Sequence, residues 1–98
     1  MKVRWTRIAL QDFEQAQDYL MAEDPQAARL VARRIQEAIE HLKKFPRIGR
    51  VGEDEDTREW KVQKTPYLLI YSVADSAIVL LRVWHTARIH PQQEANSP

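Results

Sequence analysis

The side chains best suited to proton transfer in this sequence are its three histidines, because histidine titrates near neutral pH without a perturbing environment. His41 falls in a segment with a helical pattern, and no metal-ligating residue follows it four residues later. His85 and His90 are poorly spaced for a shared metal ion. We therefore predict no bound metal and no cofactor.

A basic cluster precedes an acidic run in the middle of the chain. Lys43, Lys44, Arg47 and Arg50 form the cluster, and residues 53–56 are all acidic. Two interpretations remain open: these charges neutralise each other at ~0 to 1 kcal/mol per pair, or the cations steer an acidic partner protein or DNA. The formal net charge of +1 gives no general reason to expect duplex DNA, and we predict no direct sequence-specific DNA binding.

Hydrophobic periodicity predicts the elements that position these groups. Residues 2–5 alternate as a short strand does, and apolar residues recur at helical spacing over residues 8–22. Asp24 is suited to cap a helix and Pro25 to occupy its first position, so a second helix is expected to begin there. Its amphipathic pattern continues to about Lys44.

Three more segments have the pattern of strands, at residues 57–64, 67–73 and 78–85. The order β-α-α-β-β-β predicts an α+β fold in which an N-terminal helical hairpin packs on an antiparallel sheet. A chain of 98 residues has room for one domain, which we assign to residues 1–91. We expect residues 92–98 to be a disordered polar tail.

The predicted sheet is apolar in both phases at residues 67–71 and 78–81. Two helices cover only one face, so we expect the other face to keep apolar surface for a partner, at about 25 cal/mol per Å² buried. The alternative is that sheet curvature or the tail covers this face. No apolar run approaches the ~20 residues of a membrane span and no signal peptide is evident, which favours the cytoplasm.

Successive segments of this chain resemble the toxins of the RelE/ParE superfamily, and the ParE branch most closely. The more specific ones are Thr57-Arg58-Glu59, Thr65-Pro66-Tyr67-Leu68-Leu69-Ile70-Tyr71 and Leu81-Arg82-Val83-Trp84-His85-Thr86-Ala87-Arg88. The resemblance implies the same β-α-α-β-β-β fold and the toxin of a type II toxin–antitoxin system. Such a toxin inhibits DNA gyrase by direct binding and is neutralised by a ParD-like antitoxin in a hetero-oligomer.

The superfamily also contains ribosome-dependent mRNA endonucleases, which remain the alternative function. For that alternative, the resemblance places Lys61, His85 and Arg88 in the catalytic set. Gln63 and Leu68 stand where the nucleases carry two more basic residues, and no closing tyrosine follows. These replacements reduce the number of cations that could stabilise a phosphorane, and they leave no defined base. The resemblance therefore favours a binding inhibitor that is not an enzyme.

The candidates for contact with the target or the antitoxin are Arg58, Trp60, Tyr67, Tyr71, Arg82, Trp84 and Arg88. Each also has a structural interpretation. Arg58 would pair with a carboxylate from the helices, Arg82 lies in phase with Leu80 and would form an ion pair or stack, and the aromatic rings would belong to the core. We expect the antitoxin to place a helix along the helical hairpin and an extended segment on the sheet.

Overall fold

The computed structural model describes residues 1–54 and 56–87 of the chain. Its elements are β1 (Lys2–Trp5), α1 (Arg7–Glu23), α2 (Pro25–Lys44), β2 (Arg50–Val51), β3 (Arg58–Lys61), β4 (Tyr67–Ala74) and β5 (Ala77–His85). The strands form one sheet in the order β1-β5-β4-β3-β2. The predicted α+β fold is confirmed. The sequence did not predict the short β2 or the parallel pairing of β1 with β5, and the expected tail lies outside the described residues.

Both helices begin at side chains that cap them. Thr6 Oγ1 accepts a hydrogen bond from Ala9 N at 3.1 Å, and Asp24 Oδ1 accepts from the first amides of α2 at 3.1 and 3.3 Å. Because Asp24 ends α1 and caps α2, the two helices are joined by a single residue and form a tight hairpin. Neither α1 nor α2 is apolar over enough of its length to span a bilayer.

The helical hairpin covers one face of the sheet, and the core lies between them. Its most deeply buried members are Ala9, Ile35, Leu42, Val62, Leu69, Tyr71, Ile78 and Leu80. The alternation of side chains along β3 and β4 puts Trp60, Leu69 and Tyr71 toward the helices, as predicted for Trp60.

The opposite face of the sheet is much less bare than expected. Ile70 is only 7% exposed and Trp84 only 3%, and the guanidinium carbon of Arg82 lies 4.6 Å from the centroid of the Trp84 ring. The β4–β5 register shifts between Ile70 and Tyr71, which leaves Leu81 unpaired and increases the local twist. The prediction that this face carries the exposed apolar surface is therefore wrong.

Exposed large apolar side chains lie instead on the helices, on the segment after α2, and on the edge of the sheet. Among the described residues they are Met1, Ile8, Leu10, Tyr19, Met21, Leu30, Phe45, Ile48 and Val51. Most of these side chains fall in two regions, the outside of the hairpin and the segment that leads into β2. A partner protein that buries apolar surface on this chain can contact either region.

Candidate functional site

Two of the three residues of the nuclease alternative, Lys61 and His85, lie on opposite faces of the sheet. Lys61 pairs in register with Leu68, and His85 pairs with Tyr67. Because successive residues of β4 point to opposite faces, Lys61 lies on the face away from the helices and His85 on the helix side. Arg88, the third member, lies outside the described residues.

Lys61 and His85 are each used in a local structural contact. Lys61 Nζ donates to the carbonyl of Thr65, which ties it to the turn between β3 and β4. His85 Nδ1 accepts from Ala87 N at 3.1 Å, and its ring meets the edge of the Tyr67 ring at a centroid distance of 5.2 Å. Both side chains thus fix the chain where a strand ends.

An open cleft of about 360 Å³ lies between α1, the start of β4 and the end of β5. It is lined by Asp12, Gln15, Ala16, Tyr19, Tyr67, Val83 and His85. Tyr19 is exposed at its rim, and Ile8, which is also exposed, lies about three helical turns earlier on the same side of α1. A cleft with apolar rims and a few polar groups suits an amphipathic protein segment.

Arg58 and Tyr71 both hold the backbone between α2 and β2. Arg58 Nη1 donates to the carbonyls of Arg47 and Gly49, each at 2.9 Å. The expected pairing of Arg58 with a helix carboxylate is therefore wrong for the described residues, because two backbone carbonyls accept from its Nη1 instead. Tyr71 Oη donates to the Pro46 carbonyl at 2.8 Å and accepts from Gly49 N at 3.0 Å.

The buried Tyr71 phenol explains the glycine that faces it. A Cβ at Gly49 would lie 2.4 Å from Tyr71 Oη, so a side chain there would displace the ring. Burial raises the pKa of the Tyr71 hydroxyl above its ordinary value of 10.0, although the Gly49 N–H and the Arg58 charge act in the opposite direction. Tyr71 therefore stays a neutral donor at physiological pH.

The aromatic and arginine candidates on β3 and β5 have structural partners as well. The Trp60 ring stacks on His41 of α2, with ring centroids 5.3 Å apart. Arg82 forms the ion pair expected of it, with Asp12 of α1 at 2.8 Å, and it also stacks on Trp84. Trp84 is buried, whereas Tyr67, although only 7% exposed, lines the cleft beside α1.

The basic cluster is only partly neutralised, and by carboxylates other than those of the acidic run. Lys43 pairs with Glu40 at 3.3 Å, and Arg50 pairs with the buried Glu59 at 2.8 Å. Lys44 and Arg47 have no carboxylate partner in the part of the chain that the structure describes. The exposed apolar side chains between these cations were the feature that sequence reasoning missed, although Phe45, Ile48 and Val51 stand directly among the basic residues along the chain.

The described residues form a small α+β protein with exposed large apolar side chains, and they do not bring Lys61 and His85 together. Residues 3–90 match the family model described as the ParE toxin of the type II toxin–antitoxin system parDE. The chain belongs to this family of toxins.

Curated relatives and a solved structure agree with this assignment. The chain is 33% identical over 91 residues to the putative toxin Y4kP of Sinorhizobium fredii, covering 93% of this chain and 94% of that protein. It is 34% identical over 88 residues to toxin RelE2 of Caulobacter vibrioides, covering 90% and 98%. A chain of a chromosomal ParDE TA system from P. aeruginosa has the same fold, with a TM-score of 0.68, 23% identity, and coverage of 87% of this chain and 95% of that one.

Proposed function

We propose that this toxin inhibits DNA gyrase by direct binding and that a ParD-like antitoxin neutralises it in the cytoplasm. The observation that carries the first part is the separation of Lys61 and His85 onto opposite faces of the sheet. A nuclease needs its base and its phosphate-binding cations around one scissile bond, within hydrogen-bond reach of it. A binding inhibitor has no such requirement, because it acts through surface complementarity alone.

A supercoiling assay with purified gyrase tests this proposal. Toxin added in increasing amounts is expected to abolish supercoiling of relaxed plasmid and to trap cleaved DNA, since the cleaved complex is the state that it stabilises. Toxin premixed with its antitoxin serves as the control and should restore supercoiling. Normal supercoiling at a large molar excess of folded toxin would rule the proposal out.

The second candidate is ribosome-dependent cleavage of mRNA, which is favoured by the name of one relative, toxin RelE2, at 34% identity. It predicts that the toxin cuts message in a translating extract and leaves naked RNA intact. Cleavage of message by the purified chain, with normal gyrase activity in the same preparation, would establish this alternative over the first.

The antitoxin has a suitable docking site in the cleft between α1, the start of β4 and the end of β5. Tyr19 and Ile8 offer exposed apolar surface on one side of α1, and Asp12, Gln15 and His85 bring polar groups to the cleft. An amphipathic antitoxin helix would bury these two apolar side chains. Tyr19→Ala is expected to weaken antitoxin binding by about tenfold or more, as truncation of a buried aromatic anchor does. Unchanged affinity would exclude the cleft.

A further inference from the structure

The segment from Lys44 to Val51 carries three exposed apolar side chains. Phe45, Ile48 and Val51 are 54%, 46% and 54% exposed, although all three are large apolar side chains. Single exposed apolar residues are ordinary, but three within one short segment mark a surface that another molecule covers. We call residues 44–51 the α2–β2 knuckle.

Two side chains from strands of the sheet hold the backbone of the knuckle in place. Arg58 donates to two of its carbonyls, at Arg47 and Gly49, and Tyr71 bridges Pro46 O and Gly49 N. These bonds arise from strands of the sheet, so the backbone that carries the apolar residues is anchored to the core. A surface ordered before binding loses little conformational entropy when a partner covers it.

Cations alternate with the apolar residues along the knuckle. Lys44 and Arg47 have no carboxylate partner among residues 1–54 and 56–87, and Arg50 remains largely exposed while it pairs with Glu59. A complementary surface therefore has an apolar depression with carboxylates at its rim. Aromatic and arginine side chains in such a patch are typical of the residues that dominate binding energy at protein interfaces.

We infer that the α2–β2 knuckle is the surface by which this toxin recognises its cellular target, and that the contacted region of the target is an acidic, apolar protein surface. The inference rests on the proposed function only in that the toxin acts by binding. A protein fits better than a nucleic acid, because phosphates would use the cations and leave Ile48 and Val51 without a role. The knuckle shares no residue with the cleft proposed for the antitoxin, so the two surfaces can be tested separately.

The experiment compares growth arrest by matched variants of the full chain. Phe45→Ala/Ile48→Ala removes two apolar side chains of the knuckle, and Leu10→Ala/Met21→Ala removes two of α1 that are 45% and 50% exposed. Each toxin is induced in a bacterial host without antitoxin, and its antitoxin affinity and thermal midpoint are measured on purified protein. We expect the knuckle variant to need at least about tenfold more toxin than wild type for the same growth arrest. Its affinity for the antitoxin should change by no more than about twofold. The Leu10→Ala/Met21→Ala control should arrest growth at the same toxin dose as wild type.

A charge variant separates a protein target from a nucleic acid. Lys44→Glu/Arg47→Glu is expected to weaken growth arrest together with the apolar variant, because a protein surface would use both features. Loss of arrest with the charge variant alone would indicate a phosphate backbone and overturn the inference. The inference would also be overturned if a folded Phe45→Ala/Ile48→Ala toxin still arrested growth fully, or if this variant lost antitoxin binding as strongly as growth arrest. It would likewise be overturned if the wild-type chain did not arrest growth. If the variants behave as expected but the toxin leaves gyrase supercoiling activity unchanged, only gyrase is excluded as the target.

Discussion

Arg82 on β5 donates two hydrogen bonds to the carboxylate of Asp12 on α1, at 2.8 and 3.1 Å. Asp12 Oδ2 also accepts from the backbone amide of Val83 at 3.0 Å. The β1–β5 pairing ends at Leu80, so β5 has no strand neighbour beyond that point on the β1 side. Asp12 takes the place of the missing strand and fastens α1 to the far half of β5.

Asp12→Ala should therefore destabilise the fold by about 2 to 4 kcal/mol, because it leaves a half-buried guanidinium and a strand amide without their acceptor. The measurement is urea unfolding at neutral pH. Asp18→Ala, which removes an exposed carboxylate from the same helix, is the control and should change stability by no more than about 0.5 kcal/mol. Equal losses in the two variants would show that the Asp12 contacts contribute nothing.

Gly49→Ala should be destabilising for a steric reason. The added Cβ would lie 2.4 Å from Tyr71 Oη and 2.8 Å from Tyr71 Cε1, and the buried ring has no free space to move into. We expect a loss of about 1 to 3 kcal/mol, the usual range for overpacking. At Gly52 the atom nearest to an added methyl group is Thr57 Oγ1, which a change of the Thr57 χ1 rotamer can move at the cost of one exposed hydrogen bond to Asp54 O, so Gly52→Ala should cost less in the same unfolding experiment.

Tyr71→Phe tests the pKa of the buried phenol. A raised pKa means that the folded state prefers the neutral hydroxyl, so its contribution is complete below pH 10.0 and is lost as the pH rises through the folded-state pKa. The phenylalanine variant should lose about 1 to 3 kcal/mol at pH 7, because Pro46 O and Gly49 N lose their partner. Its stability should then fall less steeply than that of wild type in alkaline solution. Tyr19→Phe, at an exposed position, should change the stability at pH 7 by no more than about 0.5 kcal/mol.

The turn between β4 and β5 is a place to gain stability. Asp75 and Ser76 have φ values of 50° and 62°, the left-handed conformation at both central positions that Asn-Gly adopts most readily. Asp75→Asn/Ser76→Gly should raise the free energy of unfolding by about 0.5 to 1 kcal/mol. An unchanged or lower thermal midpoint would contradict this. Ser72→Gly, inside β4, should have the opposite sign.

Lys61→Ala and His85→Ala address the mechanism directly. If the toxin acts by binding gyrase, neither change removes a catalytic group, and both variants should arrest growth as wild type does. A nuclease would lose about 10²-fold activity or more when a group acting in acid–base catalysis is removed. Dose–response curves of growth arrest, with thermal midpoints to confirm folding, distinguish the two outcomes.

The sequence by itself determined the helices, the approximate strand positions and the family. Thr6 and Asp24 cap their helices through hydrogen bonds to residues only two or three positions away, so their roles can be read from short segments. The apolar stripes of α1 and α2 are likewise local patterns with a period of one helical turn.

Only the tertiary structure decided which side chains meet. The unpaired Leu81 puts Arg82 on the face opposite Leu80, which a strict alternation of side chains had placed together. Arg58 donates to backbone carbonyls and not to a helix carboxylate. The side chains of Phe45, Ile48 and Val51 lie outside the core. Register shifts and partners far apart in sequence depend on how the whole chain packs, because each local pattern is compatible with several such arrangements.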